Sequence, residues 1–379
     1  MEQAPKMERD LTSERLSTLR NVWGQLQSLW QENDFADNPL GQPSPEISQA
    51  EEALSEKIVE LLNCSPQEAD LLYAEARRLK DENVGNNIRY RAAVHVTNIC
   101  RANCLCCPMR RDNLHPDTMK RATTPEIVAA ADDAYQAGYK DLFIQGGEDV
   151  RVVPIVVEAL KILSKKYSDI GVILNLGNLS PLQYKTLYEA GARKYVIKHE
   201  TANPKLHEEL RQEPIEKRVQ HMLYAKQAGF EIGAGNILGI PGQTDRDLAD
   251  DVIFFGRSGI KGMLSSTTYT PSDALPEPYK NQPSGDWEKT KRFIAVLRIL
   301  FPSADIHAPS NADSPKLERG DTQLSGQSEL ILSGANEMTV EFTSPEMAKH
   351  YGLYDMGTKR HKVDFIKIKK VEAETKDKK

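Results

Sequence analysis

Three cysteines, Cys100, Cys104 and Cys107, stand in the spacing C-x3-C-x2-C, with a fourth, Cys106, inside the last gap. Three thiolates on one short loop can hold three corners of a [4Fe–4S] cube and leave the fourth iron without a protein ligand. An open metal position is what catalysis needs, whereas a structural site is closed by its last protein ligand. A structural zinc site and a disulfide cluster are the competing uses of such residues. Zinc calls for a second Cys or His pair at similar spacing, and no cysteine follows Cys107. Disulfides need an oxidising compartment, and the N-terminal MEQAPKMERDLTSERL has no apolar signal region that would imply export. A reducing cytoplasm is the expected setting.

The elements that must position these thiols follow from periodicity. Ala93–Thr97 alternates apolar and polar and reads as a strand that ends where the cysteines begin. From Tyr90 onward strands and helices alternate, the pattern of a parallel sheet with crossover helices. Expected strands are Ala93–Thr97, Asp141–Gln145, Gly171–Leu176, Lys194–Lys198, Glu231–Asn236, Gly262–Thr267, Asp305–Ala308 and Glu329–Leu332. Expected helices between them are Thr124–Ala137, Val153–Lys165, Pro181–Ala190, Ile215–Ala228, Asp245–Gly256 and Asp286–Leu300. The fold class is α/β, and eight such units close a (β/α)8 barrel whose sites form at the C-terminal ends of the strands.

Around that barrel, residues 1–89 read as a helical extension, 90–350 as the barrel and 351–379 as a basic tail. Leu11–Trp30 has helical periodicity and NDFADNPLGQPSP breaks it, so residues 1–45 are expected as an appendage on the barrel's outside. Helices are expected over Glu51–Leu62 and Gln67–Lys80, with Cys64 at their junction as a thiol without a role. Lys359–Lys379 carries nine Lys or Arg residues and reads as a solvated tail, with VDFIKIK alternating like a short edge strand. Composition narrows the function classes. A net charge of −6 argues against a general nucleic-acid binder, and 39% hydrophobic with 27% charged residues is that of a globular chain. No apolar run approaches ~18 residues, so no membrane span is expected.

The cysteine loop, with CPMRRDN at its end, FIQGGED at 143–149, KHETANPKLHEELR at 198–211, EIGAGNILGIPGQT at 231–244 and LSGANEMTVEFTSP at 332–345, resembles the radical SAM superfamily. Within it the chain looks like the branch of biotin synthase, methylornithine synthase and the radical SAM maturase of [FeFe]-hydrogenase, and among these three most like the maturase. The likeness runs from about residue 50 to about 350.

The resemblance implies a radical SAM barrel, with a [4Fe–4S] cluster on Cys100, Cys104 and Cys107 whose open iron chelates S-adenosylmethionine. It implies one-electron cleavage of the C5′–S bond, a flavodoxin- or ferredoxin-type donor, and a 5′-deoxyadenosyl radical that abstracts hydrogen from a small-molecule substrate. Gly146, Gly147 and Glu148 match the motif that accepts the methionyl ammonium; Glu200 matches the carboxylate on the ribose and Arg218 the arginine on the methionyl carboxylate. Gly233–Gly239, with Asn236 inside it, is assigned to the adenine and methionyl groups, and Tyr269, Ser310 and Asn311 to the substrate side.

Three departures from these relatives bear on the cofactor contact and on the substrate. Position 106, where the family usually has an aromatic near the adenine, is Cys106. Biotin synthase needs further cysteines for a second, sulfur-donating cluster, and this chain has none beyond Cys107. The maturase has an arginine where this chain has Lys198, and a threonine pair where it has Pro309 and Ser310. A two-pronged guanidinium thus becomes a point charge on a flexible stem, so Lys198 is expected to meet a small polar substrate, anionic or amino-acid-like. A true hydrogenase maturase and a non-catalytic iron–sulfur scaffold are the alternatives; release of 5′-deoxyadenosine excludes the scaffold.

Overall fold

The structure, a computed structural model, describes residues 3–318, 323–351 and 363–376. Helices α1 (Gln3–Glu32), α2 (Pro45–Leu62) and α3 (Pro66–Asn83) precede the first strand. The alternating part then runs β1 (Arg89–Thr97), α4 (Thr124–Gln136), β2 (Asp141–Gly146), α5 (Val153–Lys166), β3 (Gly171–Asn175), α6 (Pro181–Glu189) and β4 (Lys194–Val196). It continues through α7 (Pro204–Arg211), α8 (Ile215–Gln227), β5 (Glu231–Ala234), β6 (Ile237–Leu238), α9 (Asp245–Arg257), β7 (Met263–Leu264) and β8 (Thr267–Thr268). It ends with α10 (Trp287–Leu300), β9 (Asp305–Ile306), α11 (Asp313–Glu318), α12 (Gly326–Leu332), β10 (Glu337–Glu341), α13 (Pro345–His350) and α14 (Phe365–Lys376).

Eight of the strands form one sheet in the order β10-β1-β2-β3-β4-β5-β7-β9, every pair parallel. A single bridge between His307 and Glu337 joins the two edges, so the sheet curls into the expected (β/α)8 barrel. The short β6–β8 ladder carries the β5–β7 pairing beyond the rim. Capping boxes at Thr123, Ser180 and Thr244 set the starts of α4, α6 and α9, each with its third residue bonding back to the cap.

Inside the barrel, Phe143, Ile173, Val196 and Met263 form an apolar layer. Side chains alternate with period two along a strand, so two residues further on the same face carries Gln145, Asn175, Lys198 and Ser265. A dry floor beneath a polar chamber is therefore written into four strands at one phase. Outside, Trp23 of α1 meets Phe301 edge-on with ring centroids 4.9 Å apart, and the N-terminal helices lie against α9 and α10. A Cβ at Gly256 of α9 would sit 2.3 Å from the Trp30 ring, so a glycine is what lets α1 approach.

Two expected strands are helical. Glu329–Leu332 lies in α12, where Ser325 caps the first turn and Leu330 and Ile331 turn into the core. The eighth strand is β10, five residues later. VDFIKIK is not an edge strand: Phe365–Lys376 is helical and buries Ile368 and Val371, three residues apart on one face. This stretch is also docked rather than solvated, through Lys367 to Asp313 at 2.7 Å and Tyr90 to Glu372 at 2.9 Å. Among the described residues no helix is long and apolar enough to cross a membrane.

Candidate functional site

The thiol loop leaves β1 and is held by its own polar residues. Thr97 Oγ1 accepts from Ile99 N at 3.1 Å, and Leu105 N donates to Leu210 O at 2.8 Å, tying the loop to the end of α7. Arg110 Nε donates to Asn103 Oδ1 at 3.0 Å, and Arg111 N to Ala102 O at 2.9 Å. Asn113 Nδ2 bonds Pro108 O and Ala274 O at 2.8 and 2.7 Å. The MRRDN segment thus closes the loop and leaves the chemistry to the cysteines.

Cys100, Cys104, Cys106 and Cys107 all line one cavity of ≈ 280 Å³ at the C-terminal ends of the strands. Among the described residues, no three His, Cys, Asp or Glu side chains converge on the point that one metal ion would need. The three spaced thiols instead share a cavity wall, as separate corners of a larger group require. Burial pushes the Cys100 and Cys104 thiols up, and Arg211 pulls both the other way. Cys106 also contacts the apolar cluster of Leu210, Ile240, Tyr269, Leu275 and Tyr279.

Gly146 and Gly147 end β2 against the cysteine loop. A Cβ on Gly147 would lie 2.2 Å from Ile99 O and 2.9 Å from Cys100 Cβ, so only glycine fits. Glu148 N donates to Cys100 Sγ at 3.3 Å. The Glu148 carboxylate accepts from Arg101 Nε and from Asn178 N, both at 2.8 Å. Glu200 adopts φ 67, a left-handed conformation unusual for a side chain with a Cβ, and strain of this kind persists where the surroundings enforce it. Its N–H bonds Gly235 O at 3.1 Å. Burial alone would raise the Glu200 pKa, but Lys198, Arg211 and Arg218 outweigh it and hold the carboxyl below its usual range.

Arg218, buried on α8, donates from Nε to Lys198 O at 2.8 Å and from Nη1 to Asn178 Oδ1 at 2.6 Å. Lys198 Nζ lies 3.3 Å from both Glu200 Oε2 and Thr267 Oγ1, so its charge is met inside the protein. The cavity brings together the three cysteines, Gly146, Gly147, Glu148, Lys198, Glu200, Arg218, Ser310 and Asn311.

Two assigned side chains stand apart from the cavity wall. Asn236 Nδ2 donates to Asp251 Oδ2 at 2.8 Å, within a buried network that includes His199. Tyr269 gives its hydroxyl to the carbonyl of Tyr279 in the adjoining cluster. The Asn236 amide nitrogen and the Tyr269 hydroxyl are thus taken up by the scaffold, while Asn236 Oδ1 is buried with no hydrogen-bond partner, and neither residue is among those lining the chamber. Sequence reasoning missed Arg211, which ends α7 on the cavity wall and pairs with Glu213 at 2.8 Å. Its Nε is buried with no hydrogen-bond partner. The signal was present: Asn203-Pro204 followed by KLHEELR is a capped helix start that delivers an arginine to the site. Arg91, His307 and Glu341, also on the cavity wall, were missed because nothing in their local sequence marks chemistry.

Residues 94–255 match the model of the Radical SAM superfamily, and the chain belongs to that superfamily, which uses a [4Fe–4S] cluster and S-adenosylmethionine. It is 34% identical over 286 residues to the [FeFe] hydrogenase maturase subunit HydE of Thermotoga maritima, covering 75% of this chain and 79% of that protein. It is 21% identical over 295 residues to the 3-methylornithine synthase of Methanosarcina acetivorans, covering 77% and 80%. The crystal structure of methylornithine synthase (PylB) superposes with a TM-score of 0.65 at 21% identity, covering 75% of this chain and 81% of that one. That of HydG, a maturase of the [FeFe]-hydrogenase, gives 0.64 at 19% identity over 87% and 71%. Three thiols on one wall, with a buried guanidinium nitrogen still lacking an acceptor, fit a cluster and a zwitterionic cofactor beside it.

Proposed function

We propose that this chain reductively cleaves S-adenosylmethionine at a cluster held by Cys100, Cys104 and Cys107 and abstracts hydrogen from a small, polar, amino-acid-like substrate. The observation that carries this reading is one cavity that joins the three cysteines to the polar chamber of Gln145, Lys198 and His307. When bound, cluster and cofactor supply the one-electron bond cleavage and the hydrogen abstraction; the residues of the chain supply position and exclusion of water. Gly147 lets the backbone at the end of β2 come close to the bound group, and Glu148 and Glu200 offer carboxylates to its donors. Arg218 and Arg211 offer guanidinium nitrogens to its carboxylate, a match of planar fork to planar anion. The electron comes from a donor of flavodoxin or ferredoxin type.

Protein reconstituted anaerobically should carry about four irons per chain, as one cube requires, and release 5′-deoxyadenosine with a strong reductant. Cys100→Ala, Cys104→Ala or Cys107→Ala should abolish both, whereas Cys64→Ala and Cys106→Ala should keep them. About eight irons per chain, or a cluster lost with Cys64, would contradict the assignment. The identity to the HydE maturase favours hydrogenase cofactor maturation as a second reading. Restoration of hydrogenase activity in a maturase-deficient host distinguishes the two.

A further inference from the structure

The carboxylates on the cavity wall do not share one fate. Glu148 has Arg101 at 2.8 Å and Glu200 has Lys198 at 3.3 Å. Behind the wall, Glu337 has Arg91 at 2.9 Å. Glu341 is different: among the described residues no lysine or arginine lies within ion-pairing distance of it, and the basic side chain within that distance is His95, 3.3 Å away. Its side chain is only 10% exposed. One oxygen, Oε1, accepts from Thr343 N at 2.8 Å, while Oε2 is buried with no hydrogen-bond partner.

His95 is a weak counter-charge for that oxygen. Its Nε2 faces the Gln145 amide nitrogen at 2.9 Å, and its Nδ1 lies 3.0 Å from Thr343 Oγ1. A ring that accepts at Nε2 keeps one N–H, at Nδ1, and the Thr343 hydroxyl competes for it. Arg91 does not supply the charge either. It is engaged by Glu337, by Thr339 Oγ1 at 3.0 Å and by the face of Phe143 at 4.2 Å. A buried carboxylate without a cation is costly, and this one stands on β10 in phase with Glu337 and Thr339, on the strand face that looks into the barrel.

We propose that Glu341 receives an ammonium, or an equally compact N–H-bearing cation, of the substrate within the barrel chamber. The inference rests on the reading of that chamber as a substrate site and names the chemistry it selects. A metal ion is the poorer occupant, because no three ligating side chains converge there among the described residues. An ammonium needs only acceptors: Glu341 Oε2 is one, and Gln145, whose amide nitrogen is occupied by His95, keeps its carbonyl as another. Tyr351, tilted against His95 with ring centroids 3.8 Å apart, backs the ring behind the carboxylate. The charged handle selected is thus cationic, in contrast to the anion that Lys198 alone suggested.

The test uses the full chain and three probes of one length, n-pentylamine, 1-pentanol and pentanoate, with binding followed by saturation-transfer NMR without cluster or cofactor. The wild type should prefer the amine over the alcohol by about ten- to a hundredfold, the range of a charge-assisted hydrogen bond. Glu341→Gln should remove that preference, with its fold checked by circular dichroism. No preference in the wild type, which needs no variant, overturns the proposal; so does a preference that survives in Glu341→Gln, which would place the amine at another carboxylate. Failure to cleave S-adenosylmethionine would sink the broader reading while leaving the amine preference standing, so the two can fail separately.

Discussion

A lysine inside a barrel needs a counter-charge, and Lys198 finds one in Glu200 at 3.3 Å. The pair ties the fate of one residue to the other. Removing one partner of a buried pair leaves the other charge uncompensated, which costs more than the pair was worth. Lys198→Met is therefore expected to raise the pKa of Glu200, whose carboxyl Lys198 helps to hold low. It should also weaken S-adenosylmethionine binding by about tenfold or more, by the scale of a lost charged contact. Equilibrium dialysis of the reconstituted variant decides this, and an unchanged affinity would return Lys198 to the substrate side. Gly147→Ala is a second test at this scale. The added methyl would collide with Ile99 O and Cys100 Cβ, so the loop must shift and iron content should fall although all the cysteines remain.

Elements were legible where one periodicity governs them. The run Ala93–Thr97, the strand–helix alternation after it and the cysteine spacing gave the barrel and the place of its site, because strand ends and loop thiols are local in sequence. Charge partners are not local. Lys198 and Glu200 share a face that alternation reveals, but the bond from Arg218 to Asn178 spans 40 positions, and no pattern announces it. Short apolar runs also leave strand and helix unresolved until packing decides. That is why Glu329–Leu332 and the residues after Val363 changed class. Helix α14 offers a direct check, since Val371 is fully buried, Lys367 pairs with Asp313, and Glu374 meets Ser325 N at 3.1 Å. Val371→Ala removes two buried carbons at about 0.8 kcal/mol each, plus a cavity term, so about 2 kcal/mol of stability should go. A solvated tail would lose nothing measurable in urea unfolding.

The molecule encloses histidines that resist protonation, and these contribute to its response to acid between about pH 6.5 and 4. Burial lowers His207 from 6.5 to about 4, and the nearby Arg211 charge adds to the effect, as do His199 and Arg218 more weakly, although the bond from Nδ1 to His199 O opposes it. Burial likewise drives His307 well below its ordinary value, with Arg91 and Lys198 acting the same way. In the unfolded chain both rings take up a proton near pH 6.5, whereas the folded protein holds them neutral to lower pH. The unfolded state thus binds more protons in that window, and stability is full above pH 6.5 and falls as the pH drops toward 4. Each such ring contributes about 1.4 kcal/mol per pH unit to that slope. His207→Asn keeps a side-chain donor for His199 O and has no proton to gain. Urea unfolding of the two proteins at pH 7, 6 and 5 should show the variant losing stability less steeply, by about that amount per unit below pH 6.5. Parallel slopes would mean that His207 is protonated in the folded protein or that the acid response has its source elsewhere.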